Sequence, residues 1–177
     1  MKNVRNLVMC ALCIALGLVL PLAFHAVPNA GQIFLPMHIP VLLCGFICGP
    51  FWATAMGAIA PLLRFALFGM PPLVPTGIAM CFELAAYGAV SGLLYAKLPR
   101  RTGNIYVALI AAMLAGRIVW GVARVILTGV TSSAFTWAAF LSGAFTTAIP
   151  GIILHIVLIP LIVMALQRAL PWLRNTK

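Results

Sequence analysis

Six apolar runs, at 6–27, 35–49, 51–68, 77–96, 105–128 and 145–168, take up nearly the whole chain. Five of them suit a helix crossing a bilayer core of about 30 Å, which takes about 20 apolar residues. The second is shorter: about 14 residues make roughly 21 Å of helix. Hydrophobic residues are 64% of the 177 and charged residues 7%. A soluble domain of this size has no interior large enough to hide so much apolar surface. The runs therefore predict an all-α integral membrane bundle of six transmembrane helices, one domain over 1–177. No length is left for a soluble catalytic domain. The first run continues too far to read as a cleaved signal peptide.

The formal net charge is +10, from eleven Lys and Arg against one acid. In a soluble protein that balance would suggest nucleic acid. Here the placement of the cations points to a membrane orientation instead. Lys2 and Arg5 precede the first run, Lys97, Arg100 and Arg101 lie between the fourth and fifth, and Arg168, Arg174 and Lys177 close the sixth. With six spans these eight fall on one side. The loops of the other side, 28–34, 69–76 and 129–144, hold no Lys or Arg. Positive charge collects on the cytoplasmic side, so both termini are expected to be cytoplasmic.

The short run ends at Gly49-Pro50. Glycine closes a helix and proline opens the next, so a tight turn is expected there. Short or interrupted segments accompany binding sites in transport proteins. In the loop 69–76 three prolines stiffen the chain, and Thr76 is placed to cap the fourth helix. In the loop 129–144, Ser133 is placed to cap a short helix carrying Trp137, and Pro150 and Pro160 are expected to kink the sixth segment. The five cysteines, Cys10, Cys13, Cys44, Cys48 and Cys81, all sit inside apolar runs and read as small buried hydrophobes. No metal site and no cofactor is assigned to them.

Four ionisable side chains other than histidine remain inside the runs: Arg64, Glu83, Arg117 and Arg124. Such groups are costly in lipid and mark function by default. Under the orientation above, most of them, with His25 and His38, fall in the outer half. Arg117, Trp120 and Arg124 share one helical face, as do Met80, Glu83 and Tyr87. Facing each other, these stripes would make an amphipathic pocket in which arginine's fork suits a carboxylate or phosphate. The bland alternative is an ion pair between Glu83 and one arginine. It cannot neutralise three cations, so at least one arginine needs another acceptor. Arg64 and Arg124 are placed to snorkel outward. His155, in mid-segment, reads as a packed histidine rather than a ligand contact.

The first segment carries Ala11 and Ala15, followed by Leu16 and Gly17, and the second-to-third turn reads CGFICGP. With the length, the six spans and the basic balance, these features resemble the substrate-binding S-components of energy-coupling factor (ECF) vitamin transporters. Small residues at i,i+4 let two helices approach closely in lipid. The resemblance implies that Ala11 and Ala15 dock on a transmembrane coupling subunit. It also implies that the loop between the first two helices is a lid over an outer pocket. Pro28, Asn29, Gly31, Gln32 and Phe34 would form that lid, with His38 facing the pocket. MHIP at 37–40 is similar to the Met-His start of nickel and cobalt S-components, but it is internal here and no acid follows.

The expected function is a membrane-embedded binding subunit of an ATP-driven importer in a bacterial-type plasma membrane. It would capture a vitamin or cofactor precursor from outside, an anionic one such as pantothenate fitting the surplus of cations. The expected substrate-binding residues are Arg117, Trp120, Arg124, Glu83, Tyr87, His38 and Arg64. The chain has no GxxxxGK[ST] run, so two ATPase subunits must come from partners. A stand-alone secondary transporter, a transition-metal uptake subunit and an intramembrane enzyme are the alternatives. One intramembrane acid is thin machinery for ion coupling, and neither HExxH nor GxSxG occurs.

Overall fold

The computed structural model describes residues 2–23, 30–99, 101–130 and 136–170. The described residues are all helical apart from turns. Helix α1 spans Lys2–Ala23, α2 Ala30–Ile33, α3 His38–Cys48, α4 Pro50–Phe68, α5 Ile78–Lys97, α6 Thr102–Val130, α7 Trp137–Leu141 and α8 Ile149–Ala169. A π-helical turn, Leu73–Gly77, leads into α5, and a second, Ser142–Thr146, precedes α8. The helices α1, α4, α5 with its π turn, α6 and α8 are long and apolar enough to span a membrane, and α3 is the short sixth. The six expected segments are all present as helices. Pro150 stands in the first turn of α8, where a missing donor costs little, so it opens the helix instead of kinking it.

The shortness of α3 follows from its position. It packs against α1, α4, α5 and α8, and ten of its eleven residues are buried. A helix enclosed on all sides by protein has no hydrocarbon thickness to match. Its ends are satisfied inside the bundle: the Asn6 amide on α1 donates to the Cys48 carbonyl at 3.3 Å. Gly49 then turns the chain at φ 90°, a conformation that side-chain-bearing residues rarely adopt, and Pro50 starts α4. By contrast, α1 presents Val4, Leu7, Val8, Leu12, Leu16 and Val19 outward, as a peripheral helix in lipid would.

The most extensive packing is of α5 on α4 and on α6. Glycine at i and i+4 of α5 makes the first possible. A Cβ at Gly92 would sit 2.5 Å from the Pro50 nitrogen, and one at Gly88 would collide with the Ala53 backbone. Such a small-residue seam lets backbones touch and gains dispersion contacts that lipid cannot match. Buried Cys10 and Cys13 on α1 meet buried Cys44 and Cys48 on α3, and all five cysteines are free thiols. Among the described residues no set of three His, Cys, Asp or Glu side chains is grouped to hold a metal ion.

Candidate functional site

Glu83 lies at the centre of a buried polar cluster, with 1% of its surface exposed. One turn on, the Tyr87 hydroxyl donates to Glu83 Oε1 at 3.1 Å. From α6, Arg117 Nη1 reaches the same oxygen at 3.0 Å. From the first residue of α3, His38 Nε2 faces it at 3.3 Å. That last contact lacks the geometry of a well-formed hydrogen bond. We read it as electrostatic contact. The His38 ring stands edge-on to Tyr87 with centroids 5.2 Å apart, and lies nearly parallel to His155 of α8 at 6.2 Å. Four helices thus contribute to one cluster.

Local sequence explains each placement. Glu83 and Tyr87 are four apart on α5 and point the same way. His38 opens α3, its N–H bonded to the Leu35 carbonyl at 3.0 Å. Pro40 falls in the first turn of α3, where no intrahelical donor is needed. Gly116 is the feature that brings α6 close enough: a Cβ there would lie 2.5 Å from the Tyr87 ring. The ring therefore rests on the α6 backbone, and the next residue, Arg117, meets Glu83.

Glu83 and Arg117 have opposite charges, so the pair carries no net formal charge. Each charge alone would cost about 2.5–3.5 kcal/mol at the centre of a bilayer on insertion scales. Pairing removes much of that cost, but donors are left over. Arg117 Nη2, both ring nitrogens of His38 and His155 Nε2 are buried with no hydrogen-bond partner. Buried polar groups nearly always have partners, so four orphans in one cluster require an explanation.

The other arginines are engaged differently. Arg64 Nη1 donates to the Leu18 carbonyl of α1 at 2.9 Å, and its guanidinium lies over Phe68 at 5.4 Å. Arg124 Nη1 donates to the Thr76 hydroxyl at 3.0 Å, and its guanidinium lies over Trp120 at 5.8 Å. Thr76 therefore ties the π turn to α6; α5 has no side-chain cap, contrary to the expectation from sequence. Trp120 stacks on Phe140 of α7 at 6.2 Å. The structure thus assembles His38, Glu83, Tyr87 and Arg117 in one cluster, pairs Trp120 with Arg124, and directs Arg64 to α1. His155, read from sequence as mere packing, joins the first group; its spacing on α8 gave no signal for that.

An apolar groove of about 460 Å³ runs along α6 beside α7, lined by Ile118, Val122, Val125, Ile126 and Phe140 among others. It shares no residue with the Glu83 cluster and its α6 side chains face outward. The orphaned buried nitrogens locate the polar chemistry better than this hollow does, because a polar ligand needs polar partners. Of the expected lid, Pro28 and Asn29 lie outside the described residues, as do His25 and Ser133. Gly31 and Gln32 belong to α2, which packs on α8, and Phe34 is half-buried beyond it. Ala11 and Ala15 are exposed on α1.

Residues 5–163 match the family model described as ECF transporter, substrate-specific component. No curated protein and no solved structure gives a significant match.

Proposed function

The chain belongs to the substrate-specific components of ECF transporters, and from that premise we propose that its substrate is held at the Glu83 cluster. As a member of that family it is a multi-pass protein of the cell membrane that binds a small substrate and pairs with an energising module. It is a transporter subunit, not an enzyme. The proposal takes the 177 residues as one substrate-binding domain with both termini cytoplasmic, on the cation placement. The substrate is a vitamin or cofactor precursor taken from outside, with an anionic group, as in pantothenate. Arg117, Trp120, Arg124, Glu83, Tyr87 and His38 make the site, with Arg64 at its edge. Residues 28–38 form the lid. The energising module consists of a transmembrane coupling subunit and two ATPase subunits, and Ala11 and Ala15 dock on the former.

The observation carrying this reading is Arg117. Its Nη1 is held on Glu83 while its buried Nη2 has no partner. A ligand acceptor there would gain a charge-assisted bond without first breaking the ion pair. The family assignment favours this over the secondary-transporter and intramembrane-enzyme readings. The test is equilibrium binding of pantothenate to the purified full-length protein, beside native mass spectrometry of any copurifying compound. Arg117→Gln should weaken binding of the identified ligand ten- to a hundredfold, corresponding to a lost bond of about 1.5–3 kcal/mol. If Arg117→Gln and Arg124→Gln both bind as tightly as the parent, the site lies elsewhere. Ala11→Trp with Ala15→Trp should abolish uptake through the full complex and leave binding intact. Unchanged uptake at normal expression would remove the docking assignment.

A further inference from the structure

Helix α1 carries a proline, Pro21, in its last turn. Proline has no N–H, so the Gly17 carbonyl has no helical donor, and the pyrrolidine ring pushes the preceding turn open. The next bond of the ladder, from the Leu22 N–H to the Leu18 carbonyl, is loosened by the same push. In water such carbonyls are hydrated; in hydrocarbon the protein itself has to supply a donor. The α1 segment contains no Ser or Thr that could turn a hydroxyl back onto the break. The donor comes from another helix. Arg64 Nη1 on α4 bonds the Leu18 carbonyl at 2.9 Å.

The reach of Arg64 fits this task. Cys10 Sγ donates to the Trp52 carbonyl at 3.7 Å, and the Met56 methyl lies 3.7 Å from where a Cβ on Gly17 would stand. These contacts advance together along both helices, so α1 and α4 run in the same direction. Carrying the Cys10–Trp52 level forward by equal steps puts Leu18 beside Ala60. Arg64 stands one turn beyond, about 6 Å at 1.5 Å per residue. Its side chain therefore reaches back along α4, the direction that helical side chains take. Arg64 is buried, at 9% exposed, and the Phe68 ring lies over its guanidinium at 5.4 Å. The charge is thus turned towards the broken turn and not past the end of α4. Near the start of α1 the Asn6 amide holds the Cys48 carbonyl, so this peripheral helix is tied to the bundle by donors near both ends. We propose that Arg64 is a positioning residue: it closes the break that Pro21 makes in α1 and keeps the last turn of that helix on α4. At the edge of the site it fastens the helix that carries Ala11 and Ala15, and its effect passes through the Leu18 carbonyl.

The experiment measures backbone hydrogen exchange at Leu22 and Ala23 in the full-length protein in bilayer nanodiscs, with no substrate added. Arg64→Met keeps most of the side-chain length but removes the charge and every donor. Lipid accommodates methionine better than arginine, so the variant should fold. It should speed exchange at both amides about tenfold, the opening that follows from losing one ordinary hydrogen bond. Arg64→Lys keeps a donor of similar reach and should stay within about threefold of the parent. Pro21→Ala restores an N–H for Gly17 and an unbroken ladder, so in that background Arg64→Met should change exchange less than about twofold. A loss of packing elsewhere on α4 would not be rescued at Pro21. The proposal is overturned if Arg64→Met leaves exchange unchanged, or if it acts equally with and without Pro21. Exchange in Arg64→Lys as fast as in Arg64→Met would overturn it as well. The readout is independent of the substrate: normal binding by Arg117→Gln would overturn the placement at Glu83 and leave this test unaffected.

Discussion

Helix α5 performs two different tasks within five turns. Its first half carries Glu83 and Tyr87 into a buried polar cluster. Its second half carries Gly88, Ser91 and Gly92, and there α5 touches α4 through backbone. The polar half leaves buried nitrogens unsatisfied; the glycine half leaves no space for a methyl group. In lipid, helices gain little from apolar burial against one another, so close packing has to supply the association. The seam at Gly88 and Gly92 supplies it, and this rigid crossing allows the neighbouring turn to carry a charged group.

The largest expected effect breaks the seam. Gly88→Leu must push α4 and α5 apart, since even a methyl group meets the Ala53 backbone. Destabilisation should reach or exceed the upper end of about 1–3 kcal/mol typical of overpacking, seen as lost monodispersity or a lowered thermal midpoint in detergent. A near-parental midpoint would mean that the seam contributes little. The next effect sharpens the polar half. Arg117→Gln strands the Glu83 charge, and adding Glu83→Gln should recover part of the lost stability, with a coupling of about 1–3 kcal/mol in a double-mutant cycle. Additive losses would mean that the two side chains do not act as a pair. The smallest effect is at the junction of the π turn and α6. Thr76→Val removes the partner hydroxyl of Arg124 and should cost about 0.6 kcal/mol, the average for side-chain hydrogen bonds in membranes. A loss several times larger would make Thr76 a pillar of the site and blur the division between the two halves.

Some of this contrast was legible in advance. Glu83 with Tyr87, and Arg117 with Trp120 and Arg124, are placed by helical period alone, and the structure keeps each set on one face. The small residues of the seam were also readable as letters, Gly88 and Gly92 four apart on α5 and Ala53 and Gly57 four apart on α4, but not which of them meet. Two features were not readable. Thr76 looks like a cap because it precedes a helix, yet its hydroxyl is taken by an arginine from a distant helix. His155 looks like packing because its own helix supplies no polar neighbour; its ring partner, His38, comes from α3.

The sequence by itself determined the solvent, the number of long apolar segments and the family. Hydropathy, run length and cation placement are local quantities, and local quantities survive whatever the helices do to one another. It also determined that one acid faced three intramembrane arginines. Which arginine that acid would take was decided only by the tertiary structure. Arg64, Arg117 and Arg124 are equivalent as letters in apolar runs. They differ in azimuth and depth once α6 lies against Tyr87 at Gly116 and α3 is enclosed at the centre. In a low-dielectric interior an ångström of approach decides between an ion pair and a hydrogen bond to a carbonyl, and that approach is set by the packing of whole helices.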